Sequence, residues 1–382
     1  MGASLGYPAC ESVVTRIECR VGSFSKPRGN PVTRSQNPTQ LTTNLGQSSA
    51  LQRTDQLYQR IAAYLREQRT TGLLIIKRGA IVFEGYQYAR DEAMQMRSFS
   101  MSKTIIALLI GVALEQGVIQ SLDDVVAKYY TALDDSAFGK TTIRNLLQMS
   151  SGIRFHEDYS FDRNTDLVKF HQQISNSRQG TNSAAAAFRQ FNEREFPQGQ
   201  RFRYSSIETA LLCRVLMQAS NRTITDLTHE WLWKPMGAES DAYWLLSGAE
   251  RTENCGGGFY ATLRDYARLG LLLANDGRRG EHQIISNDYL LMATDASRQR
   301  EAFKPGRATA FFGYGFQTWL FPTNTRTFAL LGIYGQSIFI QPATGIVMVE
   351  TGAYEHPSDN YSLRRKLQLW TSVLAANGGL ID

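Results

Sequence analysis

The chain has 382 residues, of which 42% are hydrophobic and 20% charged, a composition typical of a folded protein with a sizeable core. The formal net charge is +6, but the 41 basic residues are spread along the chain, which favours an ordinary solvated surface over nucleic-acid binding. No stretch reaches the roughly 18 consecutive apolar residues of a membrane span, and the N-terminus shows no signal-peptide run, so we expect a cytoplasmic protein.

Metal and disulfide chemistry are not indicated by the sequence. The cysteines are widely spaced and form no CxxC motif, which argues against a disulfide scaffold: Cys10, Cys19, Cys213 and Cys255. The five histidines form no HxxxH or HExxH pair. We therefore expect neither a metal site nor an organic cofactor.

The N-terminal part is predicted to contain an arm, a helix and a β-hairpin. Residues 20–50 are rich in Ser, Thr, Asn, Gln and Pro, which predicts an extended, loosely structured segment. Apolar residues at helical spacing predict a helix over 51–68. Two β-rich runs, Leu73–Ile76 and Ile81–Tyr86, flank a turn in which Gly79 can adopt a positive φ, which predicts a hairpin.

The middle of the chain is predicted to be mostly helical, and strands return near its end. An apolar segment over 100–116 predicts a buried helix that ends at Gly117. Further helices are predicted over 142–149, 206–219, 224–233, 261–274 and 358–375. Strands are predicted at Phe312–Phe321, Thr327–Tyr334, Ser337–Gln341 and Ile346–Thr351.

Strands at both ends with helices between them predict an α+β fold. Residues 51–119 and 236–382 would together form an antiparallel sheet flanked by helices. Residues 120–235 would form an inserted, mainly helical domain, and residues 1–50 an N-terminal arm.

A Ser-x-x-Lys motif, which can place a serine one helical turn from a lysine, occurs twice. The copy at Ser23–Lys26 precedes Pro27, which disfavours helix there, so we interpret it as coincidence. The second copy, Ser100 and Lys103, lies in the first turn of the predicted buried helix, where residues i and i+3 share a face. The unpaired N–H groups of that turn favour negative charge, and burial lowers the pKa of a lysine towards that of a base.

Structural interpretations stand beside the catalytic ones. Ser100 can instead cap its helix, as serine often does. The GxSxG pattern at Gly2–Gly6 lacks the strand and helix of a nucleophile elbow. The segment Pro197–Ser206 places Tyr204 after a Pro/Gly turn and before an apolar helix. There Tyr204 can relay a proton from Ser100, or it can be a core tyrosine.

Taken in order, these segments resemble the serine β-lactamase and penicillin-binding-protein superfamily. Within it they resemble the class C β-lactamase-like branch, which includes family VIII carboxylesterases and 6-aminohexanoate-dimer hydrolases. The resemblance covers about residues 50–376 and rests on LLIIKRGAIVFEGY, SFSMSKT, LEQGVIQSLDDVVAKY, TTIRNLLQMSSGI, PQGQRFRYSS, LWKPMGAESDAYW and GGGFYATLRDYARLG. It implies that Ser100 is the acyl-accepting nucleophile, Lys103 its base and Tyr204 a second general base and acid. Ser206 would hold the polar network.

One loop and one sheet edge refine this resemblance. The stretch HEDY, which ends at Tyr159, resembles the Asn-Glu-Asp-Tyr stretch of the 6-aminohexanoate-dimer hydrolases, so Tyr159 is a candidate substrate contact. Where the lactamases carry Lys-Thr-Gly, this chain has Tyr334, Gly335 and Gln336, and the missing lysine weakens the β-lactamase interpretation. Gly335 would let a substrate approach the backbone closely.

The same resemblance places an oxyanion hole after that edge. The N–H of Ser337 would pair with the N–H of Ser100 to bind the oxyanion. The sequence therefore predicts a serine hydrolase that cleaves a small-molecule ester or amide through an acyl-enzyme on Ser100. The alternatives are an acyltransferase that uses a non-water acceptor, a β-lactamase or DD-peptidase, and a non-catalytic binding domain. The joint presence of Ser100, Lys103 and Tyr204 argues against the last.

Overall fold

The structure is a computed structural model that describes most of the chain, namely residues 29–43, 51–160, 162–176, 183–247 and 251–382. The predictions for Gly2–Gly6, Ser23–Lys26, Cys10 and Cys19 lie outside the described residues.

Helices and strands occur in groups along the described residues. The α-helices are α1 (Leu51–Glu67), α2 (Met101–Glu115), α3 (Ile143–Leu147), α4 (Asp166–Asn176), α5 (Ser183–Arg189), α6 (Ser206–Ser220), α7 (Ile224–Thr228), α8 (Lys234–Met236), α9 (Leu263–Ala274), α10 (Asn287–Thr294) and α11 (Asn360–Asn377). The strands are β1 (Gly29–Val32), β2 (Thr42–Thr43), β3 (Thr70–Lys77), β4 (Ala80–Tyr86), β5 (Gln95–Arg97), β6 (Ala242–Ser247), β7 (Thr252–Glu253), β8 (Phe259–Thr262), β9 (Arg278–Arg279), β10 (His282–Gln283), β11 (Gly313–Tyr314), β12 (Trp319–Leu320), β13 (Phe328–Gly332), β14 (Gln336–Gln341) and β15 (Ile346–Gly352).

A sheet of eight strands combines the two ends of the chain in the order β11-β12-β13-β14-β15-β3-β4-β2. Adjacent strands in this sheet are antiparallel, except that β2 runs parallel to β4. Strand β3 of the N-terminal hairpin pairs with β15 of the C-terminal part, and Ile76 lies opposite Val347. The predicted α+β class, with one sheet built from both termini, is confirmed.

The β3–β4 hairpin turns where the sequence predicted. Arg78 and Gly79 have φ values of 49° and 83°, and two positive φ values in a two-residue loop match the twist of the flanking strands. Leu73–Ile76 is buried throughout, because both faces of the sheet are covered. Leu73 and Ile75 pack in a cluster with α1 and α11. Leu74 and Ile76 belong to the main core on the other face.

A second, smaller sheet was not predicted. It has the order β1-β6-β8-β5, with β7 paired to β6. The polar segment over 29–43 was expected to be loose, but β1 pairs with β6, and Val32 is fully buried. The segment is ordered by backbone pairing with a strand that is distant in sequence. A local sequence pattern cannot predict such pairing. Residues 259–262 likewise form a strand, and α9 begins only at Leu263, after Thr262 accepts a hydrogen bond from the N–H of Asp265.

Helix α2 crosses the middle of the core. It is buried from Met101 to Ala113, as its uniformly apolar sequence predicted. It packs against α6 and against strands β13 and β14. Gly111 faces the ring of Tyr289, which would lie 2.6 Å from an added Cβ atom, and Gly117 ends the helix with a φ of 72°. Among the described residues, no helix is long and apolar enough to cross a membrane.

The C-terminal strands differ in detail from the prediction. The run Phe312–Phe321 forms two short strands, β11 and β12, because the chain bends between them at Gln317, whose φ is 53°. Strand β13 ends at Gly332 rather than at Tyr334. The three residues that follow, Ile333–Gly335, form the turn into β14.

Candidate active site

The beginning of α2 lies at a cavity of about 320 Å³. Strand β5 pairs with β8, and the N–H of Ser98 continues that pairing by donating to the Phe259 carbonyl at 2.8 Å. Phe99 then turns the chain with a φ of 44°, a left-handed conformation that is uncommon for a bulky residue. Such backbone strain persists where the surrounding structure imposes it, often at functional sites. It places the Ser100 side chain at the cavity.

Ser100 and Lys103 are hydrogen-bonded to each other. The Lys103 Nζ donates to Ser100 Oγ at 3.0 Å and to the Gly256 carbonyl at 2.6 Å. Ser100 occupies the N-cap position of α2, but its side chain makes no capping hydrogen bond. The hydroxyl therefore faces the lysine, which is the arrangement that a nucleophile with an adjacent base requires.

Burial changes the protonation of Lys103. The side chain is 2% exposed, and desolvation lowers its pKa from 10.5 to about 8, against an opposing effect of the Glu157 carboxylate. Desolvation wins because the charged form loses its water and finds no carboxylate in direct contact. A substantial neutral fraction at mildly alkaline pH follows, which allows the amine to act as a base.

Tyr204 is a neighbour of Lys103. The Lys103 Nζ is 5.3 Å from the centroid of the Tyr204 ring, and that ring stacks on Trp319 with centroids 5.6 Å apart. Desolvation and the negative charge of Glu157 raise the pKa of Tyr204, and a hydrogen bond with Ser100 acts in the opposite direction. Tyr204 is thus a protonated hydrogen-bonding group next to Ser100.

Glu157 is a site residue that sequence reasoning missed. Its carboxylate accepts hydrogen bonds from the Ser206 N–H at 2.9 Å, the Ser206 hydroxyl at 2.5 Å and the Tyr159 hydroxyl at 2.8 Å. The structure therefore brings the predicted residues Tyr159 and Ser206 together through a third side chain. The available signal was the HEDY stretch itself, from which only the tyrosine was selected.

The sheet edge differs from the prediction. Ser337 lies within β14, between β13 and β15, is fully buried and is not among the cavity-lining residues. Ile333, at the end of β13, lines the cavity together with Ser100. The approach is close, since a Cβ atom on Gly332 would lie 2.5 Å from the Ser98 carbonyl oxygen. At this edge, Ile333 rather than Ser337 therefore lies at the cavity together with Ser100.

The predicted residues Tyr334, Gly335 and Gln336 support this edge from behind. The Tyr334 ring packs edge-on to Phe99 at 5.3 Å, and its backbone has a φ of 62°. Gly335 has a φ of 99° and lies so close to the Tyr354 ring that a Cβ atom would be 2.6 Å away. The Gln336 amide donates to the carbonyls of Tyr334 and Gly352 at 3.1 and 2.8 Å.

A buried ion pair lies behind the same turn. Lys366 donates to the Gly335 carbonyl at 2.7 Å, and its Nζ is 3.2 Å from a Glu350 carboxylate oxygen. Glu350 also accepts hydrogen bonds from Tyr64, Thr70 and Tyr354. Helix α11 is thereby connected to the sheet edge at the cavity.

A disulfide bond joins two of the cysteines that carried no sequence motif. Cys213 of α6 is bonded to Cys255, and both line the cavity. The Cys255 carbonyl accepts a hydrogen bond from Ser102 at 2.7 Å, and the next residue, Gly256, is the acceptor for Lys103. The disulfide bond therefore connects α6 to the loop whose Gly256 carbonyl accepts the hydrogen bond from Lys103.

The far part of the cavity is largely apolar. Its walls come from α4, α5 and α6 and include Leu167, Phe170, Ile174, Phe188 and Ala210. His171 also lines it, and desolvation, helped by the charges of Lys103 and Arg97, lowers its pKa to about 4, so the imidazole is neutral. Within the described residues there is no cluster of three His, Cys, Asp or Glu side chains that could hold a metal ion.

Known proteins share this architecture. The family model described as Beta-lactamase matches residues 57–368. The chain belongs to the beta-lactamase family. This membership confirms the resemblance seen in the sequence and makes the protein a serine hydrolase.

Individual relatives are more distant. A 6-aminohexanoate-dimer hydrolase from Paenarthrobacter ureafaciens is 23% identical over 304 residues, which are 78% of this chain and 76% of that protein. A solved Bacillus anthracis structure assigned as a 6-aminohexanoate-dimer hydrolase has a TM-score of 0.81 at 19% identity, covering 99% of this chain and 98% of that chain. EstCE1, a hydrolase with promiscuous acyltransferase activity, has a TM-score of 0.66 at 18% identity, with 85% and 98% coverage. At these identities the solved structures show the shared fold.

Proposed function

We propose that this protein hydrolyses a small-molecule ester or amide through an acyl-enzyme on Ser100. The observation that carries the proposal is the 3.0 Å contact between Lys103 Nζ and Ser100 Oγ, made by a buried lysine at the edge of a cavity. A serine hydroxyl is a weak nucleophile until a neighbouring base removes its proton. Lys103, with its lowered pKa, is placed to do so.

The proposed first step forms the acyl-enzyme. Ser100 Oγ bonds to the substrate carbonyl carbon, its proton passes to neutral Lys103, and the carbonyl π electrons move to the oxygen. When the oxyanion collapses, the bond to the leaving alcohol or amine breaks. The proton reaches that group from Lys103 through Tyr204. Water then attacks the acyl carbon, and the same residues return the proton to Ser100 Oγ.

The backbone N–H groups of Ser100 and Ile333 are the proposed oxyanion hole. Ile333 replaces Ser337 in this role because Ile333 lines the cavity and Ser337 lies within the sheet. The first turn of α2 supplies the other donor, at a helix end that favours negative charge. One such donor typically contributes about 2.7–4 kcal/mol of transition-state stabilisation.

The cavity favours an apolar group next to the scissile bond. Leu167, Phe170 and Phe188 form a surface suited to an alkyl or aryl chain. The amide cleaved by a 6-aminohexanoate-dimer hydrolase, as its name indicates, is one candidate bond. Where the lactamases carry a lysine this chain has Tyr334, which brings no positive charge for a β-lactam carboxylate, so we do not favour a β-lactam substrate.

Acyl transfer is the second candidate function. It uses the same Ser100, Lys103 and Tyr204, and the apolar cavity wall can hold an organic acceptor in place of water. Likeness to the fold of EstCE1, a hydrolase with promiscuous acyltransferase activity, favours testing it. Product analysis with a nitrophenyl ester in the presence of added alcohols or amines distinguishes the two outcomes.

The nucleophile is tested by labelling with a fluorophosphonate, followed by mass spectrometry. We expect one adduct, on Ser100, and loss of nitrophenyl-ester turnover in Ser100→Ala. The matched control is Ser23→Ala, which removes the serine of the other Ser-x-x-Lys motif and should leave labelling unchanged. An adduct on another residue, or full turnover by Ser100→Ala, would refute the assignment.

A further inference from the structure

The Glu157 carboxylate is fixed in place by donors from two segments. Two of its hydrogen bonds come from Ser206, the first residue of α6, through the N–H and the hydroxyl, and the third comes from Tyr159. The N-terminal N–H groups of a 15-residue helix carry partial positive charge, which favours an ionised carboxylate there. Hydrogen bonds to a charged acceptor are also stronger than neutral ones. The carboxyl group of Glu157 is therefore fixed at the cavity by three hydrogen bonds and the end of a helix.

The charge of Glu157 acts on the residues that would transfer the proton. Desolvation is the larger influence on all three groups: it lowers the pKa of Lys103 and raises the pKa of Tyr204 and of Tyr159. The negative charge of Glu157 opposes the lowering of the Lys103 pKa and adds to the raising of the other two. Other titratable or charged groups line the same cavity from β5, α4, α6 and β7, namely Arg97, His171, Arg214 and Glu253. A Cβ atom added to Gly256 would lie 3.7 Å from Lys103 Nζ and 3.9 Å from Ser206 Cβ, so the lysine and the serine that anchors Glu157 face the same point of the cavity.

We propose that Glu157 is a positioning residue that stabilises Lys103 as an ammonium ion after the lysine has taken the proton of Ser100. This inference rests on the proposed acyl transfer. In that step the Ser100 O–H bond breaks, the bond from Oγ to the acyl carbon forms, and a positive charge appears on a side chain that is buried beside apolar residues. An isolated buried cation is costly, and an anion nearby offsets part of that cost.

The test compares the pH dependence of kcat/KM for the wild type and Glu157→Gln. Glutamine is nearly isosteric and can satisfy the same partners, because both hydroxyls can rotate to accept from its amide. Without the anion, Lys103 binds its proton less tightly, so we expect the rising limb of the profile to move to lower pH. We also expect kcat/KM on the plateau to fall by about tenfold, a fraction of the ~100- to 10,000-fold that general acid–base groups contribute.

A matched control removes a carboxylate from the same loop. Asp158 is exposed and accepts a hydrogen bond from the Ser160 N–H at 2.7 Å. Asp158→Asn should change neither the pH of the rising limb nor the plateau value of kcat/KM. A purely structural role of Glu157 would lower the plateau without moving the limb.

The outcomes separate this inference from the proposed function. If the fluorophosphonate fails to label Ser100 in the wild type, the proposed function is wrong. Suppose that Ser100 is labelled, but the rising limb of the pH profile does not move in Glu157→Gln or moves equally in Asp158→Asn. Then the proposed role of Glu157 is refuted, and the assignment of Ser100 as the nucleophile is unaffected. Should circular dichroism show that Glu157→Gln is unfolded, Ser206→Ala replaces it. That variant removes the hydroxyl contact and keeps the N–H contact to Glu157, so a smaller shift of the rising limb in the same direction is expected, and the absence of a shift overturns the proposal.

Discussion

Replacing Lys103 with methionine should abolish activity and stabilise the protein at neutral pH. Burial lowers the pKa of Lys103 from 10.5 to about 8, so folding must work against the protonated state. The difference of about 2.5 units corresponds to about 3 kcal/mol at pH 7, since one unit is about 1.4 kcal/mol. Methionine removes this cost and fills a similar volume. It also forfeits the hydrogen bond to the Gly256 carbonyl, which is worth about 1 kcal/mol. The net expected gain is about 2 kcal/mol.

The pH dependence of that gain is its signature. A lysine whose pKa is lower in the folded state lets the unfolded chain bind more protons, so stability rises with pH. The cost is fully present below the folded pKa of about 8 and disappears as the pH rises through 10.5. Urea unfolding of Lys103→Met and the wild type at pH 7 and near pH 10.5 measures this directly, because other titrating groups cancel in the comparison. A stability difference that does not change with pH, or a destabilised variant at pH 7, would refute the reasoning.

Three further results are expected. If neutral Lys103 is the base, kcat/KM of the wild type should rise about tenfold between pH 7 and pH 9, as the neutral fraction grows from about 0.1 to about 0.9 around a pKa of about 8; a flat profile would exclude this base. Lys366→Met should destabilise the fold by about 3–5 kcal/mol in urea unfolding, because it leaves the Glu350 carboxylate buried and unpaired, and the added Glu350→Gln change should recover much of that loss. Gly111→Ala should cost about 1–3 kcal/mol, since the Tyr289 ring lies 2.6 Å from the new Cβ atom; an unchanged thermal midpoint would show that the ring moves freely.

The parts of the site that were predictable are local in sequence. Ser100 and Lys103 are separated by three positions, and one helical turn brings them together whatever else the chain does. The buried helix and the hairpin before it carry strong patterns of their own. For the serine and the lysine, the physical cause lies within a few residues of the chain. Tyr204 is different, because its turn and helix start fit a core tyrosine as well, and its proposed role was taken from the family resemblance.

The parts that were missed depend on distant partners. Glu157 is positioned by a hydrogen bond from Ser206, which lies 49 positions away in sequence. No sequence pattern links these two residues. The proposal of Ile333 in place of Ser337 rests on where β13 ends and turns into β14, at the pairing of Gly332 with Gln336. A shift of a few residues along an edge changes which N–H faces the nucleophile. The second sheet was missed for the same reason, since β1 pairs with β6 across most of the chain.

The pairing of β3 with β15 has a consequence for biosynthesis. On the ribosome, β3 and α2 emerge long before β13, β14 and β15 exist, so the most apolar helix of the protein has no sheet to cover it. Contacts between distant segments also form slowly, because a long loop must close first. The nascent chain therefore exposes a hydrophobic segment until the C-terminal strands have been made, and transiently exposed segments of this kind are generally prone to aggregation.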